Sequence, residues 1–181
     1  MSRPKALKIE HFRADYAKTP DYCEVFEREM KSLYLLAFLL TANHQEAEEC
    51  FAATIETGCE EKCVFKDWTE SWIKRCLIQK AIHVVFSRSV RDRQRSLWGG
   101  DSCETRLRDM VNAVTDLEVL ERFVFVMSIL EGYSIRECSL LLHCRGENIV
   151  QLRMRASTTL AASNCRFSQP LAVQADQPES N

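Results

Sequence analysis

Apolar side chains recur along most of this chain at three- and four-residue steps, the spacing of amphipathic helices. Tyr22, Phe26, Met30, Leu33, Ala37 and Leu40 make the first stripe. Its start signal is Thr19-Pro20-Asp21, with Thr19 as cap, proline in the first turn and an acid beside it. Asn43 and Glu46 mark a second start of capping-box type, for a helix expected to end near Gly58 with Ala47, Cys50, Phe51, Thr54 and Ile55 inward. Asp67 and Glu70 open a third, in which Trp68, Trp72, Cys76 or Leu77, Ala81 and Val84 or Val85 line one face as far as about Phe86.

The pattern then fades. Between Arg88 and Arg108, Ser, Arg and Gly99-Gly100 dominate, which is a linker by composition. Periodicity returns with Leu117, Leu120, Val124, Met127 and Leu130, behind Thr115 and Glu118. Ser134 and Glu137 box the next helix, and Ile149, Leu152, Ala156 and Leu160 form the narrow inner stripe of a last one. Strand-like alternation is absent. The prediction is an all-α chain of two small helical domains joined by a flexible linker. Residues 1–18 form an N-terminal arm, 19–88 a helical domain, 89–114 the linker, 115–165 a helix-turn-helix domain and 166–181 a disordered tail.

The last pair of helices carries the candidate chemistry. With the stripe of Ile149 turned inward, Asn148, Gln151 and Arg155 point outward, and Arg145 stands just before the helix. Asn and Gln can pair bidentately with adenine, and Arg with guanine or a phosphate. Val150 and Met154 also lean outward, where they could touch a thymine methyl or mark a face that reads no bases. A second basic stretch, Lys74, Arg75, Lys80, Arg88, Arg91, Arg93 and Arg95, lies beside Trp68 and Trp72. Bases and rings interleaved in this way suit single-stranded DNA. The simpler reading of the two Trp is that they belong to the core, because they fall in phase with the buried stripe.

Composition narrows the classes. With 46% hydrophobic and 28% charged residues, 5 Gly and 4 Pro, the chain can bury a core and favours helices over turns. Its net charge of -2 predicts weak DNA binding unless cations cluster or a partner helps. No secretory signal or membrane-length apolar run is visible, so a cytoplasmic location without membrane attachment is expected. The 9 cysteines are then expected to be reduced, as small apolar residues. Cys59 and Cys63, with His83 or His44, have metal-ligand spacing, but no second pair follows. No metal and no cofactor are expected. There is no phosphate loop and no nucleophile motif, so no enzyme is expected either.

Leu117 to Leu160 resembles the promoter-reading C-terminal region of small bacterial RNA polymerase sigma factors of the extracytoplasmic-function type. Glu121-Arg122, Phe123-Val124-Phe125, Leu130-Glu131-Gly132-Tyr133-Ser134, Glu137, Leu141-Leu142, Ile149 and Arg155-Ala156 carry the resemblance. The N-terminal half is similar to the same family's core-polymerase-binding region through Ala37-Phe38, Ala47-Glu48-Glu49 and Trp72-Ile73. The resemblance implies a transcription initiation factor whose partners are core RNA polymerase, promoter DNA and an anti-sigma factor. It implies polymerase contact by Glu48, Glu49 and Ala52. Glu49 and Ala52 replace the family's usual Asp and Gln, Gln79, His83 and Phe86 its usual Asn, Asp and Arg, and Val150 and Leu152 its basic or Ser positions. Two alternatives therefore stand beside it: a sigma-derived adaptor that docks a protein without reading promoters, and a stand-alone helix-turn-helix regulator.

Overall fold

The computed structural model describes residues 15–60, 64–87 and 105–167. These form α1 (Thr19–Thr41), α2 (His44–Cys59), a 3-10 turn (Lys66–Trp68), α3 (Thr69–Ser87), α4 (Thr105–Thr115), α5 (Val119–Phe125), a π-helical turn (Val126–Leu130), α6 (Ile135–Leu142) and α7 (Gly146–Phe167). The fold is all-α, and the only pairing of extended backbone among the described residues is an isolated antiparallel bridge between Tyr16 and Phe65. No described helix is long and apolar enough to cross a membrane.

The N-terminal half is a three-helix unit. The Asp21 carboxylate accepts from Lys18 N (2.8 Å) and pairs with the Lys66 ammonium (2.7 Å), tying the start of α1 to the 3-10 turn. That ammonium holds the Asp21 carboxyl below the usual carboxylate range. Asn43 caps α2 through Glu46 N at 3.2 Å. Leu33, Ala37, Phe38 and Leu40 of α1 meet Ala47 and Cys50 of α2 and Ile73, Leu77, Ile78 and Ala81 of α3, all buried. Gly58 lets α2 close onto α1: a Cβ there would stand 3.0 Å from Phe26 Cε2.

The C-terminal half packs α7 against α5, and α6 against α7 and the π-helical turn, around Phe123, Val124, Met127, Cys138, Leu141 and Ile149. The two halves share one apolar core. Phe86 of α3 lies 5.5 Å, ring to ring, from Phe123 of α5. Arg122, only 5% exposed, donates from Nε to the Leu40 carbonyl at the end of α1 (3.1 Å) and from Nη1 to the Thr115 carbonyl at the end of α4 (3.0 Å). A guanidinium is well matched to two helix C-termini, where carbonyls lack intrahelical partners and the dipole is negative.

Several expectations change. Residues 105–114, read as linker, belong to α4, whose Val111 and Val114 are buried. Thr115 closes α4 instead of opening α5, and Glu118 alone caps α5 through Leu120 N (3.2 Å). Leu130 is exposed because the π-helical turn rotates it off the stripe. Trp68 is 63% exposed, outside the core that its phase predicted. α7 runs to Phe167, two residues into the segment read as disordered tail; the rest of that tail, the arm as far as residue 14, and most of the linker lie outside the described residues.

Candidate nucleic-acid interface

The helix-turn-helix is built by local hydrogen bonds. Gly132, with φ of +71°, takes the left-handed backbone that ends the π-helical turn, a conformation that favours glycine. Ser134 N and Oγ then both donate to Glu137 Oε2 (2.8 and 2.6 Å), while Glu137 N donates to Ser134 Oγ (3.2 Å). This is a complete capping box, and the Ser134 hydroxyl is the main reason the Glu137 carboxyl sits below its ordinary value. α6 stops at His143, which is left-handed at φ 51° and donates its N–H to the Ser139 carbonyl. The Ser139 hydroxyl donates to the Cys144 carbonyl, closing the turn. α7 restarts at once, with Ile149 N donating to the Arg145 carbonyl (3.1 Å).

α7 lies with Ile149 and Ala156 fully buried and Leu152 and Leu160 partly so, the stripe that the periodicity predicts. Arg145, Asn148, Gln151 and Arg155 are all exposed. The helix therefore presents one continuous outer face, with Arg153, Val150 and Met154 exposed beside them.

The second predicted DNA contact is placed differently. Lys74 is half-buried and paired with Glu70 (3.5 Å) on its own helix and Glu131 (3.3 Å) in the other half of the molecule. Arg75 is exposed and close enough to Glu137 to favour its charged form. Both line a groove with Trp72, Trp68 and Tyr133. Tyr133 is shielded there from water, which pushes its phenol up to about 12. Trp72 makes an edge contact with Tyr22 at 5.5 Å, a core role as expected. Arg88 and Arg91, like Arg93 and Arg95, lie outside the described residues.

Sequence reasoning missed a surface aromatic cluster. Tyr16 stacks on Phe65 (5.1 Å), and Phe65 meets Trp68 edge-on (5.2 Å), at the rim of that groove. The cluster depends on the bridge that brings residue 16 to residue 65, a contact with no local signal. Glu48, Glu49 and Ala52 are exposed together on the outer face of α2. His44, weighed as a metal ligand, instead hydrogen-bonds Tyr34 OH through Nδ1 (3.0 Å) and stacks on Phe38 (4.4 Å). Cys63 lies outside the described residues.

No family model matches the chain, and no curated protein matches it in sequence. Among solved structures, it is similar to the sigma factor RpoE in its co-crystal structure with the anti-sigma factor NepR from Bartonella quintana. The TM-score is 0.55 at 14% identity, over 82% of this chain and 99% of that one. The likeness is one of fold: this chain has a sigma-like helical architecture.

Proposed function

We propose that this chain is a sigma-like transcription initiation factor that directs core RNA polymerase to promoters. The observation that carries the reading is the outward set Asn148, Gln151 and Arg155 on the second helix of a helix-turn-helix, with Arg145 exposed just before it, within a fold like that of RpoE. A recognition helix reads base edges from its first turns, while cations before and along it hold phosphates. Asn148 and Gln151 take the base-reading role, and Arg145 and Arg155 the positioning role. Glu48, Glu49 and Ala52 form the polymerase contact. Lys74 and Arg75, with Arg88 and Arg91, follow the melted strand, Lys74 exchanging Glu131 for a phosphate as the groove beside Trp68 fills.

RpoE was crystallised with an anti-sigma factor, and a protein inhibitor of that kind is part of the proposal. A second reading, the adaptor without promoter function, is favoured by the apolar side chains exposed on α6 and α7: Ile135, Leu140, Val150 and Met154. Pull-down of core polymerase followed by run-off transcription on a genomic library separates the two. Transcripts with defined starts support the initiation factor. Polymerase capture without transcripts supports the adaptor, and specific DNA binding without polymerase supports a stand-alone regulator.

A further inference from the structure

The groove between α3 and the α5–α6 connection carries the wrong balance of charge for a nucleic-acid strand while the two halves are docked. Two cations line it, Lys74 and Arg75, against three carboxylates, Glu70, Glu131 and Glu137, which leaves one net negative charge. The carboxylates divide by origin. Glu70 belongs to α3, as do both cations, and Arg28 of α1 binds it at 3.0 Å. Glu131 follows the π-helical turn and Glu137 lies in α6, so these two reach the groove from the C-terminal half. Without them, the α3 wall would carry one net positive charge.

Glu131 stands where a phosphate would have to stand. Its Oε2 is 3.3 Å from Lys74 Nζ, and the two side chains are only 20% and 29% exposed, so salt screens the pair less than a surface pair. Glu137 is near enough to Arg75 to feel its charge. A phosphate entering the docked groove must therefore displace one carboxylate and remain beside another, and like charges brought together are costly.

The contacts that hold the halves together lie elsewhere. Phe86 of α3 meets Phe123 of α5 at 5.5 Å, and Arg122 donates to the Leu40 carbonyl of α1. None of these residues lines the groove, so the strength of docking and the charge of the groove can be varied separately.

We infer that the docking of the two halves is an autoinhibitory contact, in which Glu131 and Glu137 guard the α3 cations and the groove takes a single strand only when the C-terminal half moves off α3. The inference rests on the strand-following role proposed above for Lys74 and Arg75, and it supplies the regulation of that site. The competent state is then a minor one in the free chain, and apparent affinity is reduced by the fraction that occupies it.

The test measures binding of a short fluorescent oligothymidylate to the full chain at low salt, without polymerase. Phe86→Ala removes one contact between the halves, changes no charge and leaves the groove lining intact; the ring is already half exposed. It should tighten binding about fivefold, the shift expected from one aromatic contact. Glu131→Gln should also tighten binding severalfold, whereas Glu27→Gln, the same change of charge on the exposed face of α1, should do much less. Small-angle scattering should show the wild-type protein expanding when the strand binds. Equal affinity of wild type and Phe86→Ala overturns the inference and leaves promoter reading standing. So does a gain from Glu27→Gln as large as that from Glu131→Gln, because net charge then explains both. If no variant binds the strand, the inference and the strand-following role fall together, and duplex reading by α7 is judged by run-off transcription. Tighter binding by Phe86→Ala without transcripts from any template upholds the contact and sinks the proposed function.

Discussion

Arg122 is the residue on which the joining of the two halves most depends. Its guanidinium is buried and donates to carbonyls at the ends of α1 and α4, the bond to Leu40 buried and the bond to Thr115 partly so. Hydrogen bonds from a charged donor contribute more than neutral ones, and an unmet buried carbonyl adds its own cost. Arg122→Met should therefore destabilise the protein by about 3 kcal/mol, read as a lower denaturation midpoint. Arg122→Lys should recover only part of the loss, because an ammonium cannot fork to both helix ends. At Ser134 the expected loss on changing to Ala is about 1 kcal/mol, the worth of an N-cap. Its dependence on pH follows from Glu137, whose carboxyl is held below its ordinary value of 4.5 in the folded protein. A depressed folded value means that the contribution is present above 4.5 and lost as pH falls through the folded value. Thermal melts of wild type and Ser134→Ala should converge in acid and separate near neutrality.

Elements were legible from sequence where a helix begins with a local cap and keeps a regular turn. The Asn43 and Ser134 starts and the Ile149 stripe of α7 depend only on neighbours within four residues, and they fold as the pattern predicts. Trp68 escaped because Lys66–Trp68 is a 3-10 turn, which advances the chain further per residue than an α-helix. Thr69 then takes the buried position and Trp68 turns to water. α4 was hidden by the polar residues around it, although Leu107, Met110, Val111 and Val114 have helical spacing. The groove between α3 and the α5–α6 connection could not be read at all, because Lys74 and Glu131 meet only once the two halves dock. Packing between elements can be tested at Gly58. Alanine gains up to about 1 kcal/mol of helix propensity, but its methyl would press on Phe26 at 3.0 Å. Overpacking a buried contact costs about 1–3 kcal/mol, so the net change should be destabilising. Phe26→Leu in the same chain should remove part of the Gly58→Ala loss, a non-additivity that a double-mutant cycle in denaturant measures.

For the whole molecule the controlling quantity is charge. With 24 basic and 26 acidic residues the chain as a whole does not attract a duplex, so the proposed DNA binding must draw its affinity from the few cations that the fold gathers on and just before α7. Arg145, Arg153 and Arg155 are exposed there. If each displaces one counterion, the logarithm of the association constant should fall with the logarithm of salt at a slope of about −2.7. Arg155→Ala should flatten that slope by about 0.9 and weaken every duplex alike. Gln151→Ala should leave the slope unchanged and alter which duplex is preferred, because a neutral amide releases no ions. A slope so shallow corresponds to weak binding by the chain alone. In the proposed function, joining it to polymerase through the Glu48 and Glu49 face replaces that weakness with effective concentration. Titration of a fluorescent duplex should then give much tighter binding with core polymerase present than without it. Glu49→Lys should erase the gain while leaving the affinity of the isolated chain no lower, because it lies on α2, outside the helix-turn-helix, and adds positive charge. Equal duplex affinity with and without polymerase would mean that α7 works alone.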